Sequence, residues 1–110
     1  MYIKYFLALP LIVLLAAGSS AEPSEGEMRQ AIQAEFDKIA PLLPRPIKVL
    51  SFQKNGCIIE STNTYNCTFT AEAEGPNMRT GKTDISKSDA YALFEKTGGG
   101  WIAKSAPRQP

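Results

Sequence analysis

"NGCIIESTNTYNC", residues 55–67, holds both cysteines of the chain, ten positions apart, around a run in which apolar and polar residues alternate. Alternation with period two is the mark of a strand, and Ser61-Thr62-Asn63 supplies turn residues between two such runs. If Cys57 and Cys67 oppose each other across antiparallel strands, Ile59 faces Tyr65 and Glu60 faces Thr64. Phe69, Ala71 and Ala73 then share the face of Cys67. Upstream, Leu50 and Phe52 have the wrong parity for that face. One extra residue at Asn55-Gly56 restores it, which predicts a β-bulge with Gly56 supplying a left-handed backbone. The alternative is a separate Asn-Gly hairpin, which leaves "CIIE" as a very short strand.

The chemistry of the cysteines depends on compartment. "MYIKYFLALPLIVLLAAGSSAEP" opens with Lys4 and the chain amine, continues with 13 apolar residues from Tyr5 to Ala17, and ends in small residues. That is the three-part pattern of a secretory signal peptide, with cleavage expected between Ala21 and Glu22. The apolar run falls short of the roughly 20 residues that cross a bilayer as a helix, so membrane contact is expected only through an uncleaved signal. An exported protein meets oxidising conditions, periplasmic or extracellular, where paired cysteines become a disulfide. A redox pair would want C-x-x-C. A zinc site would want four Cys and His ligands, and the chain has no histidine. The reading is a structural Cys57–Cys67 disulfide.

Removing residues 1–21 leaves 89, enough for one small domain, expected over 22–105, of a size that buries only about 60–65% of its unfolded surface. The chain carries 12 basic and 11 acidic residues, and without Lys4 the two balance. Residues 22–75 hold 5 basic and 8 acidic side chains, residues 76–110 hold 6 and 3. A nucleic-acid binder shows a basic surplus in a clustered stripe; this chain does not.

"PSEGEMRQAIQAEFDKIAPLLP" predicts the first element. Ser24 and Glu27 have capping-box spacing, and Met28, Ile32, Phe36, Ile39 and Leu43 form one stripe of an amphipathic helix. Pro41 is expected to stop it, with Pro44 and Pro46 holding the next stretch extended. Strands are expected over 47–59 and 65–74, with "EGPN" (74–77) as a turn. "MRTGKTDIS" (78–86) reads as a polar edge strand, and "DAYALFEKTGGGWIAKS" (89–105) as a closing hairpin around its glycines. Residues 88–96 also fit a second helix capped by Ser88. The tail, 106–110, is expected to be disordered. The expected fold class is α+β: one N-terminal amphipathic helix packed on a four-stranded antiparallel meander braced by one disulfide.

The long helix, the bent hairpin carrying the two cysteines and the closing "FEKTGGGW" (94–101) together resemble the cystatin-like and NTF2-like arrangement. They also resemble small exported bacterial proteins of unknown function with a cystine in the first hairpin. The resemblance implies a fold and no activity.

No catalytic, cofactor-binding or metal-binding constellation stands out. Histidine, the usual base near neutral pH, is missing. The carboxylates Glu60, Glu72, Glu74, Asp84 and Asp89 are scattered, and "TGGGW" (97–101) lacks the helix that a phosphate loop needs. Asn66, in "NCT", matches a glycosylation acceptor that has meaning only in a eukaryote. Tyr65, Tyr91 and Trp101 are the candidate interaction surface. These features lead to the expectation of a non-catalytic exported module that binds another protein, as an inhibitor, an immunity-type protein or an envelope accessory. The alternatives are a small-ligand pocket between helix and sheet and, more remotely, a carboxylate-based enzyme.

Overall fold

Ser24 caps the first helix. In a computed structural model, which describes residues 21–104, its hydroxyl accepts a hydrogen bond from the Glu27 N–H at 3.1 Å, while the Glu27 carboxylate accepts from the Ser24 N–H at 2.9 Å. Two of the donors that a helix start leaves orphaned are thereby satisfied. Helix α1 runs Glu25–Ile39 and buries Met28, Ala31 and Ile32. Phe36 is half-buried, whereas Ile39, expected on the buried stripe, is exposed. The helix gives way after Ile39 to one 3-10 turn, Ala40–Leu42, with Pro41 inside it.

Four strands follow: β1 (Lys48–Ser61), β2 (Thr64–Pro76), β3 (Thr83–Thr97) and β4 (Gly100–Ala103). They form one antiparallel sheet in the order β1-β2-β3-β4. The fold is α+β, with α1 against one face of the meander.

Cys57 opposes Cys67 and is bonded to it, and Ile59 opposes Tyr65. The bulge lies where parity requires it: Lys54 pairs with Phe69 and Gly56 with Thr68, leaving Asn55 as the extra residue. The separate Asn-Gly hairpin is thereby excluded. Gly56 is not left-handed, however; among the described glycines only Gly81 and Gly100 have positive φ. A second irregularity at Leu50 is unanticipated. It turns Val49 rather than Leu50 into the core, so that Val49 is buried and Leu50 exposed. A third pairs Ser61, not Glu60, with Thr64.

The second hairpin differs most from expectation. Strand β2 continues through Gly75 to Pro76, and the turn falls at 78–82. Asn77 builds it: its side-chain oxygen accepts from the N–H groups of Arg79 and Thr80, and its carbonyl accepts from the N–H of Gly81, at φ 77°. Gly75 serves another purpose, since a Cβ there would lie 3.1 Å from Ile47 Cγ1. "MRTGKTDIS" is therefore turn plus the opening of β3, not a separate edge strand. Residues 88–96 are strand: Ala90, Ala92 and Phe94 alternate inward, and pairing with β2 overrides their helix propensity. The last hairpin turns at Gly98-Gly99.

The core lies between α1 and the near half of the sheet. Phe69 stacks on Phe52 at 4.7 Å and meets Phe94 edge-on at 6.3 Å, with Met28, Ile32 and Cys67 closing around them. α1 approaches both outer strands, β1 and β4. Along β1 it is tied by side chains. Gln33 donates to the Ile47 carbonyl at 2.8 Å and accepts from the Val49 N–H at 2.8 Å. Arg29 donates to the carbonyls of Val49 and Leu50, and Glu25 accepts from the Lys54 N–H. The signal-peptide assignment (1–21), apart from Ala21, and the disordered-tail assignment (106–110) fall outside the described residues.

Closing a loop of about 11 residues stabilises a chain by roughly 2.5–3 kcal/mol through loop entropy. In a domain this small that corresponds to roughly 10–20 °C in Tm. Thermal unfolding of Cys57→Ser should show a drop of that size with the far-ultraviolet spectrum of the native state retained at low temperature.

Candidate functional site

The helix is shorter than the sheet it covers. Fifteen residues of α1 span about 22 Å at 1.5 Å per residue, whereas the 15-residue β3 spans about 50 Å at 3.3 Å per residue. The half of the β2–β3 hairpin nearest β4 is sealed by the core. Beyond it the inner face opens into a groove of about 490 Å3.

Its floor is made of small side chains at alternate positions: Ala71, Ala73 and Gly75 on β2, Ser86, Ser88 and Ala90 on β3. Large apolar groups stand over one side: Ile32 and Phe36 from the helix, Leu43 and Ile47 from the connection to β1, with Met78 of the turn at the far end. Arg45 spans part of the same connection, donating to the Thr83 hydroxyl at 3.1 Å. Polar groups gather on the β3 side, where Asp84, Ser86 and Ser88 line the groove and Asn77 donates to the Asp84 carboxylate at 2.6 Å. The volume suits a small molecule or a few apolar side chains.

The aromatic residues singled out in the sequence do not share a surface. Tyr65 and Trp101 meet edge-to-face at 5.9 Å on the helix side, and the Lys96 ammonium lies 5.4 Å from the Trp101 ring centroid. Tyr65 is buried and Trp101 half-buried. They border a smaller cleft of about 330 Å3 with Ala21, Glu22, Glu27, Thr62 and Asn63. Tyr91 lies on the opposite face, in a shallow depression beside Gly56, Ile58, Asn66 and Thr68.

Of the other carboxylates, Glu72, Glu74 and Asp89 lie on that outer face by register, and Glu60 is exposed beside the first turn. Asp84 alone of the five lines the groove. The two carboxylates of the small cleft are engaged elsewhere: Glu22 pairs with Lys54, and Glu27 is held in the capping box. The Ser24 backbone N–H keeps the Glu27 carboxyl below its ordinary value against the opposing effect of burial, with the Ser24 hydroxyl bond and the charges of Lys96 and Lys54 acting in the same direction as the N–H. Among the described residues no three His, Cys, Asp or Glu side chains gather as a metal would require, and no helix is long and apolar enough to cross a membrane.

No family model, no curated protein and no solved structure matches the chain.

The sequence signal for the groove was a run of small residues at alternate positions on two adjacent strands. A turn at 74–77 would separate Ala71 and Ala73 from Ser86 and Ser88, whereas the turn at 78–82 brings them opposite one another.

A carboxyl whose pKa is lowered by folding stabilises the protein above its unfolded pKa, and loses that contribution as pH falls through the folded value. Glu27→Gln should therefore remove part of the loss of stability on acidification. Urea midpoints taken across the carboxylate range would show it as a smaller wild-type-minus-variant difference at the acid end than at neutral pH.

Proposed function

We propose that this protein is a non-catalytic exported binding module, and that the groove between α1 and the far half of the β2–β3 hairpin is its site for a small amphipathic ligand. The observation that carries the reading is the floor itself. Three consecutive inward positions on each of two strands are alanine, glycine or serine, where a self-sufficient core would place large apolar groups to fill the space. The apolar part of a ligand would lie over Ala71, Ala73 and Ala90 beneath Phe36 and Ile47. A hydrogen-bond donor at its end would meet Ser86, Ser88 and the Asp84 carboxylate. Export is supported by the signal-like N-terminus and by the Cys57–Cys67 disulfide. A pocket between helix and sheet also suits the NTF2-like resemblance.

The experiment is titration of an uncharged environment-sensitive dye into protein recovered from the exported fraction, its intact mass first checked for loss of residues 1–21. Saturable binding at one dye per chain is expected. A straight-chain amine should displace the dye more effectively than the acid of equal length, and Ala73→Phe should abolish binding while the Tm stays close to wild type. Dye binding unchanged by Ala73→Phe would reject the groove.

Protein binding is favoured by a different feature, the outer edge of β3.

A further inference from the structure

The two long edges of the sheet are treated differently. Along β1, bulges interrupt the strand and α1 side chains hold the backbone at Ile47, Val49, Leu50 and Lys54. Along β3, β4 covers only Phe94–Thr97, with Lys104 donating to the Leu93 carbonyl. Strand β3 pairs with β2 without a register shift. Leu93 turns its carbonyl toward β4, whereas Lys96 donates to Asn63 on the β2 side. Odd-numbered residues of β3 thus aim their N–H and C=O groups away from β2. At Ile85, Lys87, Asp89 and Tyr91 those groups meet no partner among the described residues. This is a free, unbulged edge of the kind that accepts another strand.

We infer that this edge pairs with the same edge of a second copy of the chain, antiparallel about a two-fold axis at Ser88, to give a continuous eight-stranded sheet. Three features select that partner and that register. The free stretch, from Asp84 after the turn to Ala92 before β4, is centred on Ser88. Two-fold pairing there sets Lys87 opposite Asp89 of the partner subunit and Ile85 opposite Tyr91 of the partner subunit, all on the outer face. Lys87 has no ion pair among the described residues although it lies opposite Glu72 of its own sheet, and Ile85 is 59% exposed. On the inner face, Ser88 meets Ser88 of the partner subunit at a position without ladder hydrogen bonds, where side chains approach most closely and a small one fits.

Sliding by one ladder step either way opposes Lys87 to Lys87 of the partner subunit or Asp89 to Asp89 of the partner subunit, which like charge disfavours. The interface is isologous and closes on itself, so it ends at two chains rather than growing into a fibre. It uses none of the large apolar residues standing over the groove, and does not depend on the ligand reading.

Sedimentation equilibrium of the protein from the exported fraction tests the inference. A reversible monomer–dimer equilibrium is expected. Lys87→Pro should be monomeric yet folded, because the N–H it removes points outward. Lys87→Asp and Asp89→Lys should each be monomeric alone and should form a one-to-one heterodimer when mixed, since each then supplies the charge the other lacks. A wild type that stays monomeric at the highest soluble concentration would overturn the proposal. So would a dimer that survives Lys87→Pro, or variants that fail to pair on mixing. Ser88 lies both at the proposed axis and in the groove, but Lys87 and Asp89 face away from the groove. Dye binding by the monomeric Lys87→Pro variant therefore reports on the groove separately.

Discussion

The rest of the architecture depends on how α1 is fastened to the sheet. Glu25, Arg29 and Gln33 are spaced four apart and so lie along one flank of the helix. Each ends on backbone of β1 or of the residue just before it, and Gln33 both donates and accepts, as a neighbouring strand would. The bulge at Leu50 lies within this stretch and the one at Asn55 directly follows it. A bulge disrupts ladder pairing, and here the helix side chains take up backbone groups beside it. A half-buried strand edge is thereby satisfied without a fifth strand, and the helix is fixed in position rather than merely pressed onto an apolar face.

Two consequences follow from that placement. A helix held against β1 and β4 leaves the far half of the β2–β3 hairpin without a cover, and the small residues there leave a groove instead of a gap filled by side chains. Gly75 contributes by letting Ile47 cross β2 closely, which brings the connection from the helix over the groove. On the other flank no described side chain does what Gln33 does. Strand β3 therefore keeps a free edge over the stretch where its own residues are self-complementary. The disulfide adds stability to the sealed half, with Cys67 fully buried beneath the helix, and takes no part in either open feature.

Much of this was legible in the sequence. The capping box, the pairing of Cys57 with Cys67, the bulge at Asn55 and the glycine turn before β4 each follow from a short-range rule. A spacing, a parity or a dipeptide was enough. What was not legible depended on partners far along the chain. Leu50 and Val49 are equally apolar, and only the tie between Arg29 and β1 and the second bulge decide which faces inward. Gly75-Pro76 reads as a turn until Ile47 is known to lie against it, and residues 88–96 fit a closing strand or a helix until β2 is paired beside them. The expectation that Tyr65, Tyr91 and Trp101 form one surface took no account of face. Tyr91 has odd parity on β3 and points away from the other two.

Amide hydrogen exchange, followed residue by residue, tests most directly whether the helix closes one edge of the sheet and leaves the other open. In dilute protein the N–H groups of Val49 and Lys54 should exchange slowly, held by Gln33 and Glu25, and Gln33→Ala should release Val49 selectively. Along β3 protection should alternate, with Ser86, Ser88 and Ala90 slow and Ile85, Lys87 and Asp89 fast. Rapid exchange at Val49 and Lys54, or uniform protection along β3 in the monomer, would contradict the account.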